Sequence, residues 1–171
     1  MAKVLFIVAP ENFRDEELFE PKEELGKAGY QVVIASTKKG TCSGSKGGSV
    51  ISSMTIGEAK VDDYAAVVFV GGNGAQIYFE NKTALNIASE AVKLGKILGA
   101  ICIAPIILAN AGILKGKKAT VCNAGFGSEM ESKGAKYTGE HVTVDGKIVT
   151  ANGPKASREF GRKIVELLGN I

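Results

Sequence analysis

The fold is decided by a stretch at residues 96–109, which reads KILGAICIAPIILA. Its first half, residues 97–101, is a short apolar run of the kind expected for a strand that is buried on both faces. From Pro105 onward the apolar residues continue at the density of a buried helix, and proline is well tolerated in a first helical turn. The stretch therefore predicts a strand, a sharp turn that carries Cys102, and a helix.

This turn allows two interpretations of Cys102. A strand–turn–helix elbow exposes its side chain above the sheet edge, and the helix N-terminus stabilises a thiolate, which lowers the pKa of the cysteine. A free cysteine is also among the most buried residue types and often acts as a small hydrophobe. The residues alone leave a nucleophile and a buried structural thiol equally open.

Outward from this stretch, strands and helices alternate in both directions. Strands are predicted at residues 4–9, 31–35, 50–56, 65–70 and 118–122, with helices at 13–28, 81–94, 125–133 and 154–168. A turn at Asp145 and Gly146 predicts a hairpin between residues 142–144 and 148–150. This order favours an α/β fold, a three-layer α/β/α sandwich with a flavodoxin-like, doubly wound, mostly parallel sheet.

Composition limits the functions that the chain is expected to perform. Its 171 residues are 45% hydrophobic and 23% charged, which predicts a single soluble domain over residues 1–171. The net charge of +3 is small and the basic residues are scattered, which argues against nucleic-acid binding. Three cysteines without zinc spacing and one histidine predict no disulfide framework, metal or cofactor. No apolar run is long enough for a membrane span, so we expect a cytoplasmic protein.

Candidate site residues follow the predicted parallel strands, where sites lie in open α/β sheets. Glu16 and Glu17 come after the first strand, the Gly-rich residues 71–74 come after the strand at 65–70, and Cys102 comes after the strand at 97–101. One carboxyl, preferably that of Glu17, is placed to hydrogen-bond the Cys102 sulfur and to act as general acid or base. The simpler interpretation is that both acids complement the helix dipole.

The segment at residues 71–74, Gly-Gly-Asn-Gly, also has two interpretations. It is either a flexible turn or a loop whose backbone N–H groups form an oxyanion hole with the N–H of Ile103. It lacks the Gly-Lys-Ser/Thr ending of a phosphate-binding loop.

The remaining thiols and the histidine are weaker candidates. Cys122 ends the predicted strand at 118–122, so it is placed to neighbour Cys102 as a resolving or redox thiol, although an ordinary semi-buried thiol is the simpler interpretation. Cys42 lies in a Gly- and Ser-rich loop and is expected to be incidental. His141, the only histidine, lies far along the chain from Cys102 and is not expected to be a catalytic base.

Several segments, taken together and in order, resemble the PfpI-like superfamily. They are residues 4–8 with the acidic segment 15–18, then 71–76, 99–105 and 150–154. The resemblance covers essentially the whole chain and is closer to the branch typified by the Parkinson-associated protein deglycase than to the intracellular proteases. It implies the class I glutamine amidotransferase-like fold, with Cys102 as the reactive thiol of a nucleophile elbow.

The resemblance also implies roles for other residues. Glu17 would contact the Cys102 sulfur, and Gly72 and Ile103 would supply oxyanion N–H groups. The neighbours implied for this site are Asn73, Cys122, Gly153 and Pro154. A homodimer or larger homo-oligomer is implied as well, with the site near a subunit interface.

Two departures from the family pattern shape the functional hypotheses. The protease-like branch carries histidine directly after the nucleophile, where this chain has Ile103, and this disfavours a cysteine peptidase or amidase. The deglycase branch often carries a downstream histidine, and the matching position here is Cys122.

The leading hypothesis is a cysteine-dependent glyoxalase or protein deglycase that acts on methylglyoxal or early glycation adducts. The alternative is a redox-sensing or chaperone-like stress protein whose Cys102 is oxidised.

Overall fold

The computed structural model describes residues 2–169. Its strands are β1 (Lys3–Ile7), β2 (Glu11–Phe13), β3 (Gln31–Ser36), β4 (Gly40–Gly44), β5 (Ser49–Ser52), β6 (Met54–Thr55), β7 (Ala66–Phe69), β8 (Ile97–Ile101), β9 (Lys118–Ala119), β10 (Lys136–Tyr137), β11 (Val142–Asp145) and β12 (Ile148–Ala151). Its α-helices are α1 (Asp15–Lys27), α2 (Lys82–Lys93), α3 (Pro105–Asn110), α4 (Phe126–Ser132) and α5 (Ser157–Leu168). Short 3-10 turns include Asn73–Tyr78 and Pro154–Ala156.

The central sheet has seven strands in the order β11-β12-β8-β7-β1-β3-β6. Every neighbouring pair in it is parallel except β11 and β12, which form the predicted hairpin. The expected doubly wound, mostly parallel α/β sheet is thus confirmed. In such a sheet β8, β7 and β1 are neighbours, so their carboxyl ends meet at one edge.

The central strands are buried on both faces, as their apolar runs predicted. In β1, Val4 and Phe6 pack with α1 and α5, whereas Leu5 and Ile7 pack with α2 and α3 on the other face. This alternation follows from the two-residue period of a strand. It produces one apolar core on each side of the sheet and confirms the three-layer sandwich.

The predicted strand at residues 118–122 is wrong for its second half. Only Lys118 and Ala119 form a strand, and they pair with β10 outside the central sheet. Residues 120–122 are positioned by hydrogen bonds outside any strand. The Thr120 N–H donates to the Thr150 hydroxyl at 2.9 Å, and the Cys122 N–H donates to the Cys102 carbonyl at 2.8 Å. Cys122 is therefore placed by side-chain and turn contacts and not by a strand end.

Two other predicted boundaries change for similar reasons. Phe13 belongs to β2 and not to the first helix, because β2 pairs with β4 in a small second sheet. The predicted strand at residues 50–56 divides in two, since β5 pairs with β4 while β6 extends the central sheet beside β3. The antiparallel pair of β4 and β5 forms a hairpin, and Cys42 is buried in β4.

The contact between α1 and α5 gives a direct test of this packing. A Cβ at Gly161 would lie 2.7 Å from the backbone Cα of Pro21, whereas a Cβ at Gly26 would meet no atom within 4 Å. We expect Gly161→Ala to lower the free energy of unfolding by about 1–3 kcal/mol through overpacking. The matched control Gly26→Ala should leave it unchanged or raise it by up to about 1 kcal/mol. Urea unfolding measures both, and equal effects of the two substitutions would contradict this packing.

Candidate functional site

Cys102 occupies the turn between β8 and α3, as the sequence predicted. Its φ angle is +65°, a left-handed value that is unfavourable for a residue with a side chain, and its N–H donates to the Ala151 carbonyl at 2.9 Å. Strained backbone of this kind costs about 1–3 kcal/mol and persists where the surrounding structure enforces it. The hydrogen bond to β12 is one such restraint, and the turn lifts the thiol above the sheet edge.

The first turn of α1 brings Glu17 to the same place. The Arg14 N–H donates to the Gly71 carbonyl at 3.0 Å and so ties the start of α1 to the end of β7. Gly71 has to lack a side chain, since a Cβ there would lie 2.5 Å from Glu17 Oε1 and 2.6 Å from Cys102 Cβ. The Glu17 carboxyl and the Cys102 side chain therefore meet across this glycine.

The Glu17 carboxyl is fully buried, with an exposed fraction of 0%. Within residues 2–169 no N–H or O–H group reaches either carboxyl oxygen, and the Cys102 thiol is the polar group beside it. Burial raises the pKa of Glu17 from 4.5 to about 8, and the Cys102 thiol and the Arg14 charge offset this only in part. Glu17 is therefore largely protonated at neutral pH.

The pKa of the Cys102 thiol is raised, contrary to the sequence-based expectation. Burial is the largest cause and the negative charge of ionised Glu17 is the next, while a hydrogen bond from the Gly72 N–H acts in the opposite direction. Because a second negative charge is costly here, the site holds one negative charge more readily than two.

The two backbone N–H groups that the sequence suggested for an oxyanion hole are those of Gly72 and Ile103. Gly72 has a φ of +102° that suits glycine, and its N–H contacts the Cys102 sulfur. In the described part of the chain no protein acceptor takes the N–H of Ile103, which follows the thiol directly. Gly72 and Ile103 thus border the thiol with N–H groups that are available to an oxyanion.

A cavity of about 410 Å³ opens onto the thiol. Of the predicted site residues it is lined by Glu17, Gly72, Asn73, Cys102, Ile103, Cys122 and Pro154. Gly153 does not line it and faces a neighbouring cavity instead. Seven of the eight predicted residues therefore meet around one space.

Sequence reasoning missed part of the lining of this cavity. The missed residues are Asn12, Arg14, Ser45, Ala124 and Phe126. They come from loops and element ends whose paths only the fold determines. The one available signal was Arg14, a basic residue beside the candidate acids, whose guanidinium donates two hydrogen bonds to Glu16 at 3.0 and 2.9 Å.

His141 is exposed and lies away from the thiol. It lines a separate cavity of about 270 Å³ together with Gly153 and Lys155. Among residues 2–169 no imidazole borders Cys102, because the cavity of the thiol has no histidine in its lining.

Residues 2–169 contain no group of three His, Cys, Asp or Glu side chains placed to hold a metal ion. In the same range, no helix combines the length and the apolar character needed to cross a membrane.

The effect of Glu17 on the thiol leads to a prediction for alkylation. At pH 9 most Glu17 is ionised and its charge disfavours the Cys102 thiolate, so Glu17→Gln should alkylate Cys102 with iodoacetamide about tenfold faster than the wild type. Glu16→Gln is the matched control, because Glu16 is partly exposed, is paired with Arg14 and does not line the cavity. Mass spectrometry of the tryptic peptides measures the rates. Slower alkylation in Glu17→Gln would contradict the charge effect.

The chain is similar to several archaeal proteins over nearly its whole length. It is 43% identical over 169 residues to an uncharacterised protein of Methanocaldococcus jannaschii, a match that covers 98% of this chain and 82% of that protein. It is 36% identical over 166 residues to a protein of Pyrococcus furiosus named deglycase PfpI, covering 97% of this chain and 99% of the relative.

Solved structures share the fold. A ThiJ/PfpI domain protein from Brachyspira murdochii matches with a TM-score of 0.96 and 34% identity, covering 99% of this chain and 97% of the other. Oxidised DJ-1 from Toxoplasma gondii matches with a TM-score of 0.87 and 27% identity, covering 99% and 92%. These identities are higher for the archaeal PfpI-type deglycase than for the DJ-1 protein, so they do not favour the Parkinson-associated branch over the PfpI type.

A family model agrees with these similarities. The model described as the DJ-1/PfpI family matches residues 2–167, which include every residue of the candidate site. The chain therefore belongs to the DJ-1/PfpI family.

Proposed function

We propose that this protein is a cysteine-dependent enzyme of the glyoxalase or protein deglycase type, with Cys102 as nucleophile and small carbonyls or early glycation adducts as substrates. The observation that carries the proposal is the thiol at a strained turn, bordered by the Gly72 N–H and by the buried, unpaired carboxyl of Glu17. The proposal includes a single cytoplasmic domain, as expected from size and composition, and by the family resemblance a homodimer or larger homo-oligomer.

The buried carboxyl of Glu17 can donate a proton to the reacting groups. Loss of one proton from the Cys102 and Glu17 pair leaves either a carboxylate beside a thiol or a thiolate beside a neutral acid. The second form is the reactive one, because the thiolate is the nucleophile and the neutral carboxyl is a hydrogen-bond donor to it. Glu17 thus acts as the proton donor and acceptor of a site whose cavity lining contains no imidazole.

The thiolate attacks the aldehyde carbon of the substrate, and a C–S bond forms as the carbonyl oxygen becomes an oxyanion. The N–H groups of Gly72 and Ile103 hold that oxygen, and a proton from Glu17 converts it to a hemithioacetal. Glu17 is then a carboxylate and is ready to take a proton from the adduct. Conversion of methylglyoxal to lactate adds one water and requires no external oxidant or reductant.

The size of the cavity is compatible with more than a free aldehyde. Its volume of about 410 Å³ lies within the range of small-molecule sites, and Asn12, Arg14 and Asn73 give it polar lining. A glycated lysine or arginine side chain is therefore a candidate substrate alongside methylglyoxal. The similarity to a Pyrococcus furiosus protein that is named a deglycase supports the same class.

The test compares the rate of turnover with the fraction of Cys102 that has been alkylated. The protein is treated with limiting iodoacetamide, and both the fraction of alkylated Cys102 and the rate of lactate formation from methylglyoxal are measured. We expect the rate to fall in proportion to the alkylated fraction, with methylglyoxal slowing alkylation. Turnover that persists after complete alkylation of Cys102, or absence of turnover in the untreated protein, would contradict the proposal.

A further inference from the structure

Two free thiols lie together in the candidate site. Cys102 and Cys122 are both reduced, both partly exposed, and both line the cavity of about 410 Å³. Carbonyl chemistry at Cys102 gives Cys122 no role. The third cysteine, Cys42, is fully buried in β4 and does not line this cavity.

The backbone brings the two cysteines within bridging distance. The Cys122 N–H donates to the Cys102 carbonyl oxygen at 2.8 Å. With standard bond lengths, this hydrogen bond limits the separation of the two Cα atoms to at most about 6.7 Å. Disulfides form between cysteines whose Cα atoms are about 4.4–6.8 Å apart. The separation of the two Cα atoms therefore does not exceed the range that a disulfide spans.

Both side chains also face the same cavity. Cys122 is close enough to Cys102 to be one of the groups that raise the pKa of its thiol. The segment that carries Cys122 is anchored at Thr120, whose N–H donates to the Thr150 hydroxyl and whose hydroxyl donates to the Glu140 carbonyl at 2.6 Å. Together with the bond from the Cys122 N–H to the Cys102 carbonyl, this anchoring holds Cys122 beside the elbow.

We propose that Cys122 is a resolving thiol for Cys102, so that a hydroperoxide converts the two into an intramolecular disulfide. The inference goes beyond the proposed carbonyl chemistry and requires only that Cys102 be nucleophilic. It assigns a reversible oxidative modification to the site and makes hydroperoxides its second class of substrate.

The steps balance without another reactant. The Cys102 thiolate attacks one peroxide oxygen, the O–O bond breaks, and the leaving oxygen takes a proton to become water or an alcohol, which leaves a sulfenic acid. The Cys122 thiolate then attacks the Cys102 sulfur, an S–S bond forms, the S–O bond breaks, and the hydroxide takes a proton to become water. The two thiols together lose two electrons and the peroxide gains two.

A disulfide at this position has two consequences. It removes the free thiol of Cys102, the proposed nucleophile. Carbonyl turnover therefore stops until a thiol reductant restores the two free cysteines. It also removes the sulfenic acid before a second peroxide can oxidise it to the sulfinic acid, which ordinary thiols do not reduce. Cys122 therefore protects Cys102 from irreversible oxidation.

Trypsin separates the three cysteines, which makes the test direct. Cys42 falls in the peptide of residues 40–46, Cys102 in 97–115 and Cys122 in 119–133. After mild treatment with hydrogen peroxide, we expect the wild type to yield peptides 97–115 and 119–133 linked by a disulfide, and dithiothreitol to release them. Cys122→Ser should instead accumulate sulfinic acid at Cys102 several-fold faster than the wild type. Cys42→Ala is the matched control and should form the link normally.

Two results would overturn the proposal. One is equal accumulation of Cys102 sulfinic acid in the wild type and Cys122→Ser, with no linked peptide in the wild type. The other is a link that appears only between chains, seen as a covalent dimer on a non-reducing gel. Neither readout depends on carbonyl turnover, so failure of the proposed enzyme activity and failure of this inference are distinguishable.

Discussion

Cys102→Ser is expected to reduce kcat/KM for methylglyoxal by about three orders of magnitude or more, the size of loss seen when a nucleophile is removed from a covalent mechanism. A serine hydroxyl ionises at far higher pH than a thiol and needs a strong base beside it. The cavity offers only the Glu17 carboxyl, which has a pKa of about 8 and is largely protonated at neutral pH. Formation of lactate by the purified variant measures the effect.

The control for this prediction is another cysteine in the same chain. Cys42 is buried outside the cavity, so Cys42→Ala should retain turnover within about twofold, provided that circular dichroism shows it to be folded. Wild-type turnover by Cys102→Ser would refute covalent catalysis at Cys102. Loss of turnover in both variants would indicate a general effect of cysteine replacement on the fold.

Glu17→Gln is expected to remove most of the fall in stability that the wild type shows between pH 5 and pH 8. The pKa of Glu17 is about 8 in the folded protein and is raised from 4.5 by burial, so in this interval the folded state keeps a proton that the unfolded state has released. When the folded state binds more protons, the free energy of unfolding decreases as pH rises. The wild type should therefore lose about 3–4 kcal/mol relative to Glu17→Gln across this interval.

Urea unfolding at several pH values measures this difference between the two proteins. Glu16→Gln is the matched control, because the hydrogen bond from Arg14 lowers the pKa of Glu16, so its carboxyl keeps no extra proton in the folded state over this interval. Its profile should run parallel to that of the wild type. Parallel profiles for the wild type and Glu17→Gln would contradict a raised pKa at Glu17.

Local sequence determined the strands and turns on which the site is built. The apolar runs of β1, β7 and β8 predicted central parallel strands because a strand covered on both faces has no polar side. The small residues around Cys102, followed by Pro105, predicted the sharp turn, and Asp145 with Gly146 predicted the antiparallel hairpin. Each of these features depends on neighbours in the chain, so one sequence sufficed to find it.

Tertiary structure alone decided how the site residues interact. Cys122 meets Cys102 through a hydrogen bond to its carbonyl, although the strand predicted to carry Cys122 ends at Ala119. The pKa of the Cys102 thiol is raised where the sequence predicted a lowered value, because the fold buries the thiol and places the Glu17 charge beside it. These properties sum contributions from residues distant in sequence, and their distances exist only after the chain has folded. The sequence therefore located the thiol and, with the family resemblance, seven of the residues around its cavity. The fold added Asn12, Arg14, Ser45, Ala124 and Phe126 and set the protonation and the pairing of the site residues.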